Sequence, residues 1–274
     1  MLRVGTVPYL VGRPVDCGLE DERDIELVKQ VPARLVEGLR TGSIDVALVS
    51  TVELFRRPGY GYLDRFLVAG RGHVSSVQVF LRKPEAEVRS VALDPASRAA
   101  ASLTQVVWPG ERPEFREVPP EGDPRAAGTD AWLRIGDVAL TETFEPDAKA
   151  TFNPSARWTE LTGLPFAFAV WIVRPDVDVT PYRAAFERAS ERGRERREDY
   201  ARETATRLGV PLEAARRYFF DEIDYAPEPD ELREALTAFH RRACAIGLAS
   251  EECVPTAIPA LAPGVRPQTG GPRA

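Results

Sequence analysis

His73 and His240 are the only histidines in 274 residues, and Cys17, Cys244 and Cys253 are odd in number and far apart. That set argues against a histidine zinc centre, a Cys-x-x-Cys redox pair and a disulfide framework. Chemistry must then come from hydroxyls, carboxylates and backbone amides. Ser50-Thr51 follows a short apolar run, and Ser97-Arg98 opens a helical pattern. Helix starts leave N–H groups unpaired and favour an anion, and Arg98 can add a charge-assisted bond. In both places a plain helix cap is the structural alternative. Asp137, beside Gly136, is a candidate acid or base, with a structural turn as its alternative. Thr162-Gly163 reads as a helix stop directly before an apolar strand, with its loop facing the presumed site.

The elements that position these groups alternate. Leu2–Val7 and Ile25–Val31 read as strands. Pro32 opens a helix through Arg40 that Gly42 ends. Val46–Val49 is a short, wholly apolar strand of the kind found in parallel sheets. Ser50 then stands as N-cap of a helix through Phe55. Leu67–Ala69 and Val74–Leu81 follow as strands, the second expected to cross between lobes. Val88–Leu93 precedes a helix to Val107, and Phe115–Val118 is a short strand in a loop-rich stretch. Trp132–Leu140 reads as strand, Ala156–Thr162 as helix and Phe166–Val173 as the return strand. From Pro181 one long charged helix, a helix over 212–223 and a third over 229–246 are expected. Two strand-to-loop crossings about 160 residues apart point to two lobes sharing a ligand cleft. This is an α/β chain. Its expected division is 1–84 plus 176–253 as lobe 1, 85–175 as lobe 2 and 254–274 as a flexible tail. The crossings between lobes are expected near 82–88 and 172–178.

Composition narrows the function classes. The formal net charge is −6, and an acidic chain without a basic stripe is a poor nucleic-acid ligand. No run of about 18 apolar residues is present, so no membrane span is expected. The N-terminal segment lacks the features of a secretory signal, which favours the cytoplasm. Of the 36 basic residues only Lys29, Lys83 and Lys149 are lysines; most of the arginines read as compositional bias.

Six stretches together resemble the chorismate dehydratase family of menaquinone biosynthesis. They are Val4-Gly-Thr-Val-Pro-Tyr-Leu10 with Pro14; Ile44-Asp-Val-Ala-Leu-Val-Ser50; Val74-x-Ser76-Val77; Leu93-Asp94-x-x-Ser97-Arg98; Ile135-Gly136-Asp137; and Trp158-x-x-x-Thr162-Gly-Leu-Pro-Phe166 with Trp171. They come in the family's order over residues 2 to 175. The resemblance implies a two-lobed fold of the type II periplasmic-binding-protein kind with a cleft between lobes and a helical C-terminal segment. It implies a carbon–oxygen lyase (hydro-lyase) that removes water from chorismate, a small dicarboxylate, to give 3-(1-carboxyvinyloxy)benzoate. No cofactor, metal, nucleic acid or membrane partner is implied. Ser76 matches the family's cleft serine and is the catalytic candidate. Substrate contacts are carried over to Tyr9, Val11, Ser50, Thr51, Ser75, Ser97, Arg98, Ala99, Gly136, Asp137, Thr162 and Gly163. The chain departs from the family at Val11, where Asn is usual, and at Ala99-Ala100, where Thr-Ser is usual. Residues 153–157 depart as well. The paralogous naphthoate synthase uses a histidine that Gly136–Glu142 lacks. A non-catalytic binding protein for a small aromatic or dicarboxylic acid is the alternative reading.

Overall fold

The computed structural model describes residues 1–143 and 151–260. Its first sheet takes β1 (Leu2–Thr6), β2 (Ile25–Lys29), β3 (Val46–Ser50), β4 (Gly61–Leu63) and β5 (Val68–Gly70). The chain then builds a second sheet from β6 (Val77–Leu81), β7 (Ser90–Leu93), β8 (Glu114–Glu117), β9 (Ala131–Ile135) and β10 (Thr151–Phe152). It returns to the first sheet with β11 (Phe166–Val173), β12 (Ile223–Asp224) and β13 (Thr256–Ile258). The first sheet runs β12-β5-β11-β3-β1-β2, with β4 on β11 and β13 on β4; the second runs β10-β6-β9-β7-β8.

β1 pairs in parallel with β2 and β3. Such pairs need crossover connections, supplied on one side by α1 (Arg13–Asp16) and on the other by α2 (Pro32–Thr41). Pro32 starts α2, and Gly42 ends it in the left-handed region at φ 83. In the second sheet, β7 pairs in parallel with β8 and β9. There α3 (Arg98–Val107) fills the crossover, and Ser97 accepts the Ala100 N–H at its start. The short helix α4 (Gly136–Glu142) and α5 (Pro154–Thr162) precede the return. The C-terminal helices are α6 (Arg183–Glu195), α7 (Arg197–Leu208), α8 (Leu212–Arg217) and α9 (Pro229–Ala245).

One apolar core runs through both sheets, from Val4 and Leu48 to Val91 and Leu133, and includes the fully buried Trp158 and Trp171. Phe80, Ala92 and Trp132 form a small satellite. Each such side chain contributes about 1.5–3 kcal/mol by leaving water. α6 lies against α1 at Gly193, where a Cβ would stand 2.5 Å from the Pro14 carbonyl oxygen. Only glycine permits that approach.

Several expectations are corrected. β6 belongs wholly to the second sheet and β11 wholly to the first. The chain therefore changes sheets between Gly70 and Val77 and between Phe152 and Phe166, about eleven and about sixteen residues earlier than expected. A buried apolar run identifies a strand but not the sheet it joins. Residues 132–140 are not one strand: Gly136 takes φ 64, and the chain turns into α4. The long C-terminal helix breaks at Arg196 into α6 and α7. The segment 212–223 passes from α8 into a π-helical turn, Tyr218–Glu222, before β12. Within the expected tail, Thr256–Ile258 pairs with β4, while 261–274 lie outside the described residues. Ser50 occupies the N-cap position of the Thr51–Phe55 turn, but its hydroxyl makes no cap bond.

Candidate active site

Register brings the sequence candidates of the second sheet into a row. Val77 pairs with Ile135 in antiparallel fashion, so Ser76 stands opposite Gly136. The Gly136 N–H donates to the Ser76 carbonyl at 2.8 Å. From β7 the Asp94 carboxylate takes the Ile135 N–H at 3.1 Å with one oxygen and the Ala96 N–H at 2.9 Å with the other. Burial raises the Asp94 carboxyl above its ordinary range despite those two bonds. Ser76, Asp94, Gly136 and Asp137 thus lie along one edge. A Cβ on Gly136 would meet nothing within 4 Å, so the space in front of that backbone is open.

The facing edge comes from the first sheet. Val4 pairs with Val46, and continuing that register puts Ser50 level with Pro8. The Ser50 hydroxyl is buried without a partner. Thr51, 1% exposed, donates its hydroxyl to the Ala167 carbonyl at 2.7 Å; that hydroxyl is engaged by the fold. Tyr9 is exposed and Val11 half-buried against the core. Charges on the two edges act on one another. Burial raises the Tyr9 phenol first, and the charges of Asp137 and Asp94 raise it further. Burial depresses the Arg56 guanidinium, and Arg98 adds like-charge repulsion. In each case a residue that follows a first-sheet strand feels charges that follow strands of the second.

The first turn of α3 is built for an anion in part only. Ser97 uses its hydroxyl as the cap, and the Ala99 and Ala100 side chains are buried. Position 99 therefore has only its backbone N–H to offer, beside that of Arg98. Arg98 itself is exposed. Thr162 and Gly163 do not join the row. The Thr162 hydroxyl donates to the Trp158 carbonyl and accepts the Leu164 N–H, and Gly163 closes α5 at φ 73. Asn153, at the other end of this nine-residue helix, grips Val74 and Val77. At 1.5 Å per residue, Thr162 sits about 13 Å from that turn.

Groups that the sequence reading did not single out complete the row. The Glu222 carboxylate accepts the Ser75 N–H at 2.6 Å and the Ser75 hydroxyl at 2.7 Å. Arg217 donates to it at 3.1 Å, and His73 lies 4.0 Å away. Tyr218, on the same π-helical turn, lies near Ser76 and feels the charges of Glu222 and Asp137. Burial holds its phenol well above its ordinary pKa, so it stays protonated. Arg207 of α7 pairs with Asp137 at 2.8 Å. Asn153 caps α5 and donates to the Val74 and Val77 carbonyls at 3.0 Å each, which clamps the first crossing to the second. The aromatic and charge pattern of 218–222 was the available signal, but it reads equally well as packing.

Among the described residues no three His, Cys, Asp or Glu side chains stand together as a metal site, and no helix is long and apolar enough to cross a membrane. Two cavities lie elsewhere in the molecule, the second sharing Glu222 with the row. One of about 510 Å³ borders Asp16, Cys17 and Tyr200, and one of about 380 Å³ borders Arg197 and Tyr225.

Comparisons with known proteins place this arrangement. A family model described as menaquinone biosynthesis matches residues 2–245. The chorismate dehydratase of Thermus thermophilus is 32% identical over 225 residues, covering 74% of this chain and 81% of that protein. A protein of Archaeoglobus fulgidus of solved structure superposes with a TM-score of 0.72 at 18% identity, covering 90% of this chain and 98% of its own. The alkanesulfonate-binding protein SsuA of Xanthomonas axonopodis pv. citri, solved with MOPS, gives 0.62 at 17% identity over 92% of this chain and 94% of its own. A Candida albicans protein described as having the generic periplasmic binding protein fold gives 0.54 at 10% identity over 92% and 93%. With its two sheets joined by a double crossing, the chain has the periplasmic-binding-protein fold and belongs to the menaquinone-biosynthesis family.

Proposed function

We propose that this chain is a chorismate dehydratase, a hydro-lyase that removes water from chorismate to give 3-(1-carboxyvinyloxy)benzoate. Kinship with the Thermus thermophilus enzyme carries the reading. The row at Ser76 supports it. Chorismate is a cyclohexadiene with a hydroxyl next to a carbon that bears hydrogen. Loss of both makes the ring aromatic, so the driving force lies in the product. The protein has to orient the substrate, see the proton removed and protonate the departing hydroxide.

The chain's groups suit those tasks. The Arg98 and Ala99 amides at the start of α3 receive one carboxylate. The buried Ser50 hydroxyl, free of protein partners, serves the other. Asp137 would repel a dianion, but Arg207 lies against it and offsets that charge. Ser76 faces the leaving hydroxyl, and the neutral Tyr218 phenol lies behind it. Asp94 holds two backbone N–H groups and Glu222 holds Ser75, so neither is free to act as base. The substrate's own side-chain carboxylate takes the ring proton and delivers it to the departing hydroxyl. The C–H pair becomes the new ring π bond as the C–O bond breaks, and water leaves.

Incubation of the purified protein with chorismate, with the carboxyvinyloxybenzoate followed by chromatography, tests the reading. Steady turnover is expected. Binding without turnover would instead establish the non-catalytic alternative. Ser76→Ala is expected to lower turnover at least about tenfold, or about 1.4 kcal/mol in the barrier. Unchanged kinetics would remove Ser76 from the mechanism.

A further inference from the structure

The cavity of about 380 Å³ lies where the end of α6, the start of α7, the Tyr218–Glu222 turn and β12 meet. Arg71 also lines it, and Glu222, which holds Ser75, is shared between its wall and the row at Ser76. Arg194 and Arg197 line it, and neither has a carboxylate within ion-pair distance among the described residues. Arg194 donates Nε to the Ser190 carbonyl at 3.4 Å, and Arg197 donates Nε to the Arg194 carbonyl at 3.0 Å. These bonds fix both side chains and leave their terminal nitrogens over. Both arginines are half-buried. Burial, with Arg194 adding repulsion, depresses the Arg197 guanidinium. Two like charges held together at a partly dry wall are relieved by an anion.

Of the other charged groups of the wall, all but Asp221 are engaged. Arg71 is paired with Glu231 and donates to the Gly163 carbonyl. Glu222 is held by Ser75 and Arg217, and Asp224 accepts the Ala226 N–H at 2.9 Å. Asp221 is exposed at the rim. Two observations point to a ligand. Tyr225 is 2% exposed, lines the cavity, and its hydroxyl has no hydrogen-bond partner. A buried hydroxyl left unpaired costs about 1–3 kcal/mol, and Arg197 is among the charges that act on it. Phe220, also in the wall, is 43% exposed, with the Arg197 guanidinium 4.5 Å from its ring centroid.

We propose that this cavity is a second binding site, for a small aromatic carboxylate, with Arg194, Arg197 and the Tyr225 hydroxyl on the carboxylate and Phe220 against the ring. Carboxylate recognition by paired guanidiniums is strong and directional, and the volume falls in the range of small-molecule sites. The site stands whether or not the chain dehydrates chorismate, because only binding is claimed.

Calorimetric titration of 3-hydroxybenzoate into the full-length protein and into Ser76→Ala tests it: Ser76→Ala alters the row and leaves this cavity intact, whereas the arginine variants alter this cavity and leave the row intact. Saturable binding is expected in both proteins. Arg194→Gln and Arg197→Gln are each expected to weaken it about tenfold, the loss of one charge-assisted bond. Tyr225→Phe and Phe220→Ser are expected to weaken it severalfold, and inorganic phosphate should compete poorly. The proposal is overturned if the wild type shows no saturable binding, or if both arginine variants bind as the wild type does. It is likewise overturned if Ser76→Ala abolishes binding, or if phosphate displaces the probe equally well from wild type and Phe220→Ser.

Discussion

Asp16 offers a quantitative test of the first lobe. It is 4% exposed at the end of α1, and its carboxylate accepts the Thr6 hydroxyl at 2.6 Å. Desolvation raises its pKa from 3.8 to about 6, against smaller opposing effects from the Thr6 bond, Lys29 and Arg13. A carboxyl whose folded pKa lies above its unfolded one favours folding when protonated, and it weakens folding as pH rises through the folded value. Linkage with these two values gives a penalty of about 1.6 kcal/mol at pH 5 and about 3 kcal/mol at pH 7. Asp16→Asn keeps an oxygen for Thr6 and removes the titration. The amide adds its own offset, but that offset does not vary with pH. The stability of the variant minus that of the wild type should therefore grow by about 1.4 kcal/mol from pH 5 to pH 7 and then level off. Urea unfolding of both proteins at pH 5, 6, 7 and 8 measures it. A difference constant across that range, or one that shrinks as pH rises, would refute a desolvated Asp16.

Gly193→Ala puts a methyl 2.5 Å from the Pro14 carbonyl oxygen; it should cost about 2 kcal/mol although alanine is the better helix former. A gain in urea midpoint would contradict the close contact of α1 and α6. Asn153→Ala removes the α5 cap and unpairs two carbonyls of the first crossing; about 3 kcal/mol of stability should be lost, and protease sensitivity should appear near residues 71–76. Glu222→Ala leaves the buried Ser75 N–H unpaired and should destabilise by about 2 kcal/mol. If hydrogen exchange at Ser75 stays as slow as in the wild type, the assigned bond is not the one protecting it.

Much of the architecture was legible in the residues. Apolar period, Pro32 and Gly42 at the ends of α2, Ser97 before α3 and Gly163 after α5 are local signals, and local sterics and capping decide them. Val74-x-Ser76 and Gly136-Asp137 were candidates through their resemblance to the family, and strand register sets them opposite each other. Other features were decided only by tertiary packing. No local rule says that Val77–Leu81 joins the second sheet and Phe166–Val173 the first, since an apolar run can bury itself in either. Nor could local pattern show that Glu222 reaches back 147 residues to Ser75, that Arg207 meets Asp137, or that the Tyr225 hydroxyl is buried without a partner. Such pairings depend on how the C-terminal helices dock. A periodic helix face says that a side chain will be covered and is silent about what covers it.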